Sequence, residues 1–358
     1  MEQKRDKGVI LWLYSGCAMI FIMVVVGGIT RLTGSGLSMV EWKPVMGFLP
    51  PIGEAEWLDV FQKYKATPEW QYKNSWMNLT DFKGIFFWEY FHRVWGRLIG
   101  LVFLLPFLFF LAKGRLKGKL LKNCLIIFGL GGLQGFIGWF MVKSGLRDIP
   151  EVSHYRLALH LCTAFFLYCY ILWVATNLLL GTEDSTSKSK FSKLKYSTAN
   201  KVLLILVLIQ IIYGAFMSGL KAGFRFPTFP LMEGKLYAPY MFDNESFFLN
   251  FIENKDMIQF IHRYLAMAVA VYGIYLAMKI FKNISDLHVR NGSIALIAAI
   301  AMQFIFGVIT IMAFSKGEVP VFWGTVHQAG ALVLLTAAVF LQNRLTNLEA
   351  SINNGTRS

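Results

Sequence analysis

Uncharged apolar runs recur down this chain, each roughly 18 or more residues long, which is enough for a helix to cross a bilayer. They predict helical spans at about 8–29, 85–112, 124–142, 155–180, 202–220, 257–281, 292–314 and 320–342. Two of the segments between them, 31–84 and 221–256, are too long to be simple connectors and are expected to fold over one membrane face. The first of these carries WKPVMGFLPP at 42–51. The chain therefore reads as an all-α integral membrane protein with eight transmembrane helices.

Composition sharpens this picture. The 358 residues are 56% hydrophobic and only 16% charged, against about a quarter charged in a soluble domain. The net charge of +14 raises the question of a nucleic-acid partner, but its distribution excludes one. Lys and Arg crowd into 113–123, 181–201 and 282–291, together with the N-terminal KRDK, all on one side of the predicted topology. That bias places both termini in the cytoplasm. The first run is too long for a signal-peptide core and lacks a cleavage site, so it is a retained span of a multi-pass protein of the bacterial inner membrane. Cys17, Cys124, Cys162 and Cys169 all fall within apolar spans, so no disulfide framework is expected.

The spans repeat. EYFHRVWGRLIGLVF in the second span is echoed by QFIHRYLAMAVAVYG in the sixth. GLQGFIGWFMV in the third corresponds to AMQFIFGVITIM in the seventh, aligning Gln134 with Gln303. YRLALHLCTAFFL in the fourth matches GTVHQAGALVLLT in the eighth. An even number of spans separates equivalents, so the halves insert with the same orientation, as two parallel-repeat four-helix bundles. The expected organisation is an N-terminal half at 1–180, a cytoplasmic linker at 181–200, a C-terminal half at 201–345 and a cytoplasmic tail at 346–358.

Four of the six histidines, His92, His160, His262 and His327, occupy equivalent places roughly 8–10 Å inside their spans. Polar groups at that depth must be satisfied within the protein and mark functional candidates. A helix–helix hydrogen bond would account for any one of them. Four at matched depth point instead to paired axial ligands of haem iron, His92 with His160 and His262 with His327. Zinc fits less well, because no short ligand-spacing motif or Cys and carboxylate cluster completes a tetrahedral site. Arg93 and Arg263 follow two of the histidines and are suited either to haem propionates or to lipid headgroups. His154, at the water boundary, reads as a local accessory group or a solvated terminus, and His288 as an exposed loop residue.

One position breaks the symmetry. Glu89 lies three residues before His92, whereas its equivalent in the second half is Gln259. A carboxylate inside a span is expensive and can serve a proton transfer, stabilise developing positive charge, or simply bond a neighbouring helix. The asymmetry suggests a first half that reacts and a second that only binds.

GGITRLTGSGLSMVEWKP at 27–44, EYFHR at 89–93, HYRLALH at 154–160, IHR at 261–263 and GTVHQAGA at 324–331 together resemble the haem A synthases, in the branch shared by mitochondria and many Gram-negative bacteria. The resemblance covers nearly the whole chain. It implies oxidation of the C8 methyl of haem O to a formyl group, giving haem A for cytochrome oxidase. It places substrate haem O at His92 and His160, with Arg93 beside it and Glu89 as the catalytic carboxylate. It places a haem B cofactor, and its iron, at His262 and His327 beside Arg263. Thr30, Arg31 and Gly34 match the family pattern at the site entrance or the propionates. Some members carry paired cysteines in outer loops; this chain has none there, so a mechanism through such a disulfide does not apply. The implied partners are the lipid bilayer, haem O, an electron donor, and the haem O synthase and oxidase assembly factors, with homo-oligomerisation left open. A di-haem b-type electron carrier and a haem-delivery factor for oxidase assembly are the competing readings.

Overall fold

A computed structural model describes residues 6–41, 49–145, 151–181 and 193–355. Positions 4–5 of the N-terminal KRDK, 42–44 of the first family-like segment, 42–48 of the WKPVMGFLPP stretch, 182–192 of the linker and 356–358 of the tail lie outside them. Eight long helices are apolar enough to cross a membrane, in keeping with the predicted spans. In chain order they are α1 (Lys7–Leu32), α3 (Leu79–Ala112), α4 (Gly118–Gly145), α5 (His154–Leu180), α6 (Lys193–Gly219), α8 (Lys255–Asn283), α9 (Leu287–Ala313) and α10 (Val321–Gly355). Two short helices, α2 (Glu54–Lys65) and α7 (Asn250–Glu253), lie in the long connections. The protein is a multi-pass membrane protein.

Local chemistry sets the helix ends. Asp6 caps α1 by accepting from the backbone N–H groups of Gly8 and Val9. The other end of α1 closes where Gly34 takes φ +70° and the Ser35 N–H reaches back to the Thr30 carbonyl at 2.9 Å, a Schellman turn that suits glycine. Asn78 and Asp81 form a reciprocal capping box at the start of α3.

Two helices outrun the hydrocarbon core. At 34 and 35 residues, α3 and α10 each span about 50 Å, against about 30 Å of hydrocarbon. The extra turns of α3 carry Phe82, Ile85 and Phe86, which pack with Phe61 and Tyr64 into a separate aromatic core beneath α2. The extra turns of α10 carry the helix into 346–355, which the sequence assigned to a tail, just as α6 starts at Lys193 inside the expected linker. His288 likewise sits half-buried in the first turn of α9 rather than in an exposed loop.

The contact pattern of the first four long helices recurs among the last four. α1 packs on α3 and α5, and α4 on α5 and α3; α6 packs on α8 and α10, and α9 on α10 and α8. α1, α5, α6 and α10 also pack across the two halves. Because lipid and core are equally apolar, small residues and hydrogen bonds select these contacts. Asn200 donates to Gln342 Oε1 at 3.0 Å, and Gln342 donates to Ser197 Oγ at 3.0 Å. Asn343 and Asn347 both donate to Asn177 Oδ1, at 2.9 and 3.0 Å. This buried polar seam ties α10 to α5 and α6 at once.

Gln342→Leu leaves Asn200 and Ser197 without that amide and should destabilise the protein by about 1–2 kcal/mol. Thermal unfolding in detergent checks this; an unchanged midpoint would show that the seam adds nothing to stability.

Candidate functional site

All four span histidines are seated against glycines of a neighbouring helix. A Cβ built on Gly27 of α1 would lie 3.3 Å from His92 Nε2, and one on Gly138 of α4 would lie 2.9 Å from His160 Cε1. In the second half, Gly214 of α6 stands 3.2 Å from His262 Cε1 and Gly307 of α9 stands 2.9 Å from His327 Cε1 by the same measure. A Cβ at Gly138 or Gly307 would collide with the imidazole, and one at Gly27 or Gly214 would crowd it, so the missing Cβ gives the ring its room.

Four residues before each of three seats stands a glutamine: Gln134, Gln210 and Gln303. Gln134 Nε2 donates to the His160 carbonyl at 3.0 Å and lies 3.1 Å from His160 Nδ1. Gln210 Nε2 repeats this on His262, at 2.8 and 3.0 Å. Gln303 keeps the register, with its amide against Gly330 on the histidine-bearing helix. The Oε1 atoms of all three, and Nδ1 of His327, are buried without a hydrogen-bond partner. At the fourth place stands Met23, packed against Gly96 one turn from His92. Only Gln134 and Gln303 stood out in the sequence. Gln210 was missed, although Q-x-x-x-G recurring three times was the available signal.

The His262 and His327 rings lie 6.4 Å apart, centre to centre, at 87°. Two metal–imidazole bonds of about 2 Å plus the half-widths of the rings span roughly 6 Å, close to this centre-to-centre separation. Among the described residues no group of three or more His, Cys, Asp or Glu could hold a metal. An ion held here must bring its remaining ligands with it, as a macrocycle does. The buried partnerless atoms and the glycine seats fit such a group. His92 and His160 lie within electrostatic range of each other.

Glu89 is buried and fully engaged. Its Oε2 accepts from Ser38 Oγ and from the Met39 N–H, both at 2.7 Å, and its Oε1 accepts from Arg93 at 2.5 Å. Arg93 also donates to the Met39 and Glu41 carbonyls, at 3.1 and 3.2 Å. Arg263 binds the second connection in the same manner, donating to the carbonyls of Phe226, Pro230 and Leu231. Gln259, the counterpart of Glu89, donates to the Phe226 carbonyl at 2.9 Å. Both arginines thus turn inward and hold loop backbone rather than snorkelling outward. Ser38 and Met39, the partners that aim Glu89, were not legible beforehand, because nothing in the sequence pairs residues across that distance.

Thr30, Arg31 and Gly34 brace the end of α1. Thr30 Oγ1 donates to the Val26 and Trp88 carbonyls, and Arg31 reaches the last turn of α6 at the Ser218 and Gly219 carbonyls, both 3.1 Å away. His154 is buried, not solvated. Its Nε2 lies 2.8 Å from the Ile252 carbonyl, and its backbone presses on Gly219.

Above Glu89, the aromatic core holds a second buried carboxylate. Glu69 Oε2 accepts from Tyr64 Oη at 3.2 Å, and Asn74 donates to the same phenol at 2.7 Å. Burial pushes the Glu69 carboxyl up to about 7; the Tyr64 hydrogen bond opposes this and the charge of Glu89 adds to it. The native state therefore holds this proton more tightly than the unfolded chain. Its stabilising effect is complete below about pH 4.5 and is lost as pH rises towards 7. Tryptophan fluorescence during thermal unfolding should report a cap that loosens between pH 5 and 7.5, and Glu69→Gln should flatten that dependence. A pH response identical in the variant would remove Glu69 as its cause.

Comparison with known proteins follows the same lines. Residues 10–339 match the family described as cytochrome oxidase assembly protein. The chain is 44% identical over 347 residues to a haem A synthase of Flavobacterium psychrophilum, covering 96% of this chain and 99% of that one. It is 44% identical over 328 residues to the haem A synthase of Rhodospirillum centenum, covering 92% and 86%. With that of Nitrosospira multiformis it shares 42% over 352 residues, covering 96% and 97%. With eight apolar helices and likeness along nearly its whole length, the chain belongs to the haem A synthase family.

Proposed function

We propose that this protein oxidises the C8 methyl group of haem O to a formyl group, in the first half, and holds a haem B in the second. The buried carboxylate Glu89, three residues from His92 and replaced by Gln259 in the other half, carries this reading. Haem B between His262 and His327 supplies one-electron redox chemistry when bound. His92 and His160 would hold the substrate's iron from two helices. Glu89 is aimed by three donors, so it can stabilise positive charge developing beside it without reorganising, and can take a proton once one of those donors lets go. The cap over α3 keeps bulk water from that carboxylate. The site is an oxidoreductase centre acting on a CH group, in the inner membrane with both termini cytoplasmic, and an electron donor must come from outside the chain.

The recurrence of the same helix neighbours and glycine seats supports two duplicated, parallel halves. A di-haem b-type electron carrier, or a haem-delivery factor, would use the same histidines but has no use for a carboxylate beside one pair alone.

Extraction of the haems from purified protein, resolved by chromatography, tests the reading. Haem B together with haem O or A is expected; haem B alone would favour the carrier, and no haem would sink both. Glu89→Gln should keep its haem content and lose formyl formation by at least about a hundredfold. Normal haem A production by that variant would remove Glu89 from the chemistry. Gly214→Val should displace the His262 ring and sharply lower bound haem B, read from the absorbance of the purified protein; full haem content would show that the seat is dispensable.

A further inference from the structure

The first half contains a second cationic feature that the histidines and Glu89 do not use. A cavity of about 330 Å3 opens between α4 and α5 at the end nearest the long loops, lined by Trp139, Phe140, Lys143, Ser144 and Arg156. Lys143 Nζ lies 4.8 Å from the Trp139 ring centre, and the Arg156 guanidinium lies 4.9 Å from the Phe140 ring centre. The two cations thus rest on aromatic faces, and among the described residues neither forms an ion pair with a carboxylate. A cation held at the mouth of an apolar cavity without an anion is ready to receive one.

Their position relative to the axial-ligand site is specific. Arg156 precedes His160 by four residues, so it lies on the same face of α5, about 6 Å nearer the loop-bearing end. Lys143 follows Gly138, the seat of the His160 ring, by five residues on α4. Both cations therefore stand about one turn outside the level of His160. The corresponding residues of the second half are Met312 and Trp323, which carry no charge. Arg93, the cation nearest His92 in sequence, is already bound to Glu89 and to loop carbonyls.

We propose that Lys143 and Arg156 form the carboxylate-binding end of the substrate site, receiving the two propionates of the tetrapyrrole whose iron faces His160. This rests on the reading of the first half as the substrate site. Two cations meet two carboxylates on one edge of the macrocycle, while Trp139 and Phe140 offer flat apolar walls. A phospholipid phosphate is the other anion that could reach this level of the membrane.

The test uses the full-length protein purified with its second-half haem, titrated with iron protoporphyrin and with its dimethyl ester and followed by absorbance. Wild type should bind the free acid roughly ten- to hundredfold more tightly than the ester. The double variant Lys143→Ala with Arg156→Ala should bind both equally, whereas Lys143→Arg with Arg156→Lys should keep the preference. An unchanged second-half haem spectrum shows that each variant is folded. A wild-type preference retained by the alanine double variant overturns the proposal. So does a variant that keeps the preference but loses co-purifying anionic phospholipid, which would make lipid the occupant. His160→Ala separates the two levels. If free-acid binding in wild type does not depend on His160, the reading of the first half has failed, and this proposal fails with it.

Discussion

Within hydrocarbon, every imidazole must be received by protein, and in this fold the receiver is always a glycine on an adjacent span. The four histidines lie on α3, α5, α8 and α10, and their seats lie on α1, α4, α6 and α9. Each of the eight spans therefore contributes one member to one histidine–glycine pair. Apolar packing alone could not select these neighbours, because lipid is as apolar as any helix face. The close approach of ring to backbone can, because a Cβ at Gly138 or Gly307 would collide with the ring and one at Gly27 or Gly214 would press it aside.

On this common frame the halves diverge through single residues. Glutamines stand four residues before the seats of His160, His262 and His327, whereas Met23 stands before the seat of His92. The first connection is held by a carboxylate and an arginine acting together. The second is held by an amide and an arginine, both donating to backbone. The geometry of holding a loop is conserved between halves while its charge is not. A buried negative charge is costly unless it is well supplied with donors, and Glu89 has three. An amide would secure the loop at lower cost, as Gln259 does. Holding the loop does not by itself require a carboxylate at this position.

The spans were legible because run length alone reports them, and the histidines because a polar side chain at depth has few innocent explanations. The far ends of α3 and α10 were not legible. Phe82 lies in a cap where helix and loop composition look alike, Asn343 and Arg344 are buried although they fall just past the predicted end of the last span, and Leu348 is buried within the segment read as a tail. The glycine seats were hidden for a different reason. Glycine is common in membrane helices, so a seat becomes visible only once the facing histidine is known. Arg93 and Arg263 were visible as charges, but the carbonyls they hold come from connections whose paths the sequence does not disclose.

The same limitation applies to the family-like segment that begins at Gly27, and its resolution shows how the halves are joined. Thr30 bonds the Trp88 carbonyl, the residue before Glu89, while its neighbour Arg31 bonds the final carbonyls of α6 in the other half. A cation at a helix C-terminus meets both unsatisfied carbonyls and the negative end of the helix dipole, so this contact is strong for its size. Gly219, which supplies one of those carbonyls, also lies under His154 at the start of α5. Two consecutive residues at the end of α1 therefore fix the carboxylate-bearing helix and the opposite half to the same point. Displacing α6 would pull on Arg31, and through α1 on the backbone that carries Glu89. That mechanical path links the family-like segment, whose Gly27 also seats His92, to the backbone that carries Glu89 and to the end of α6.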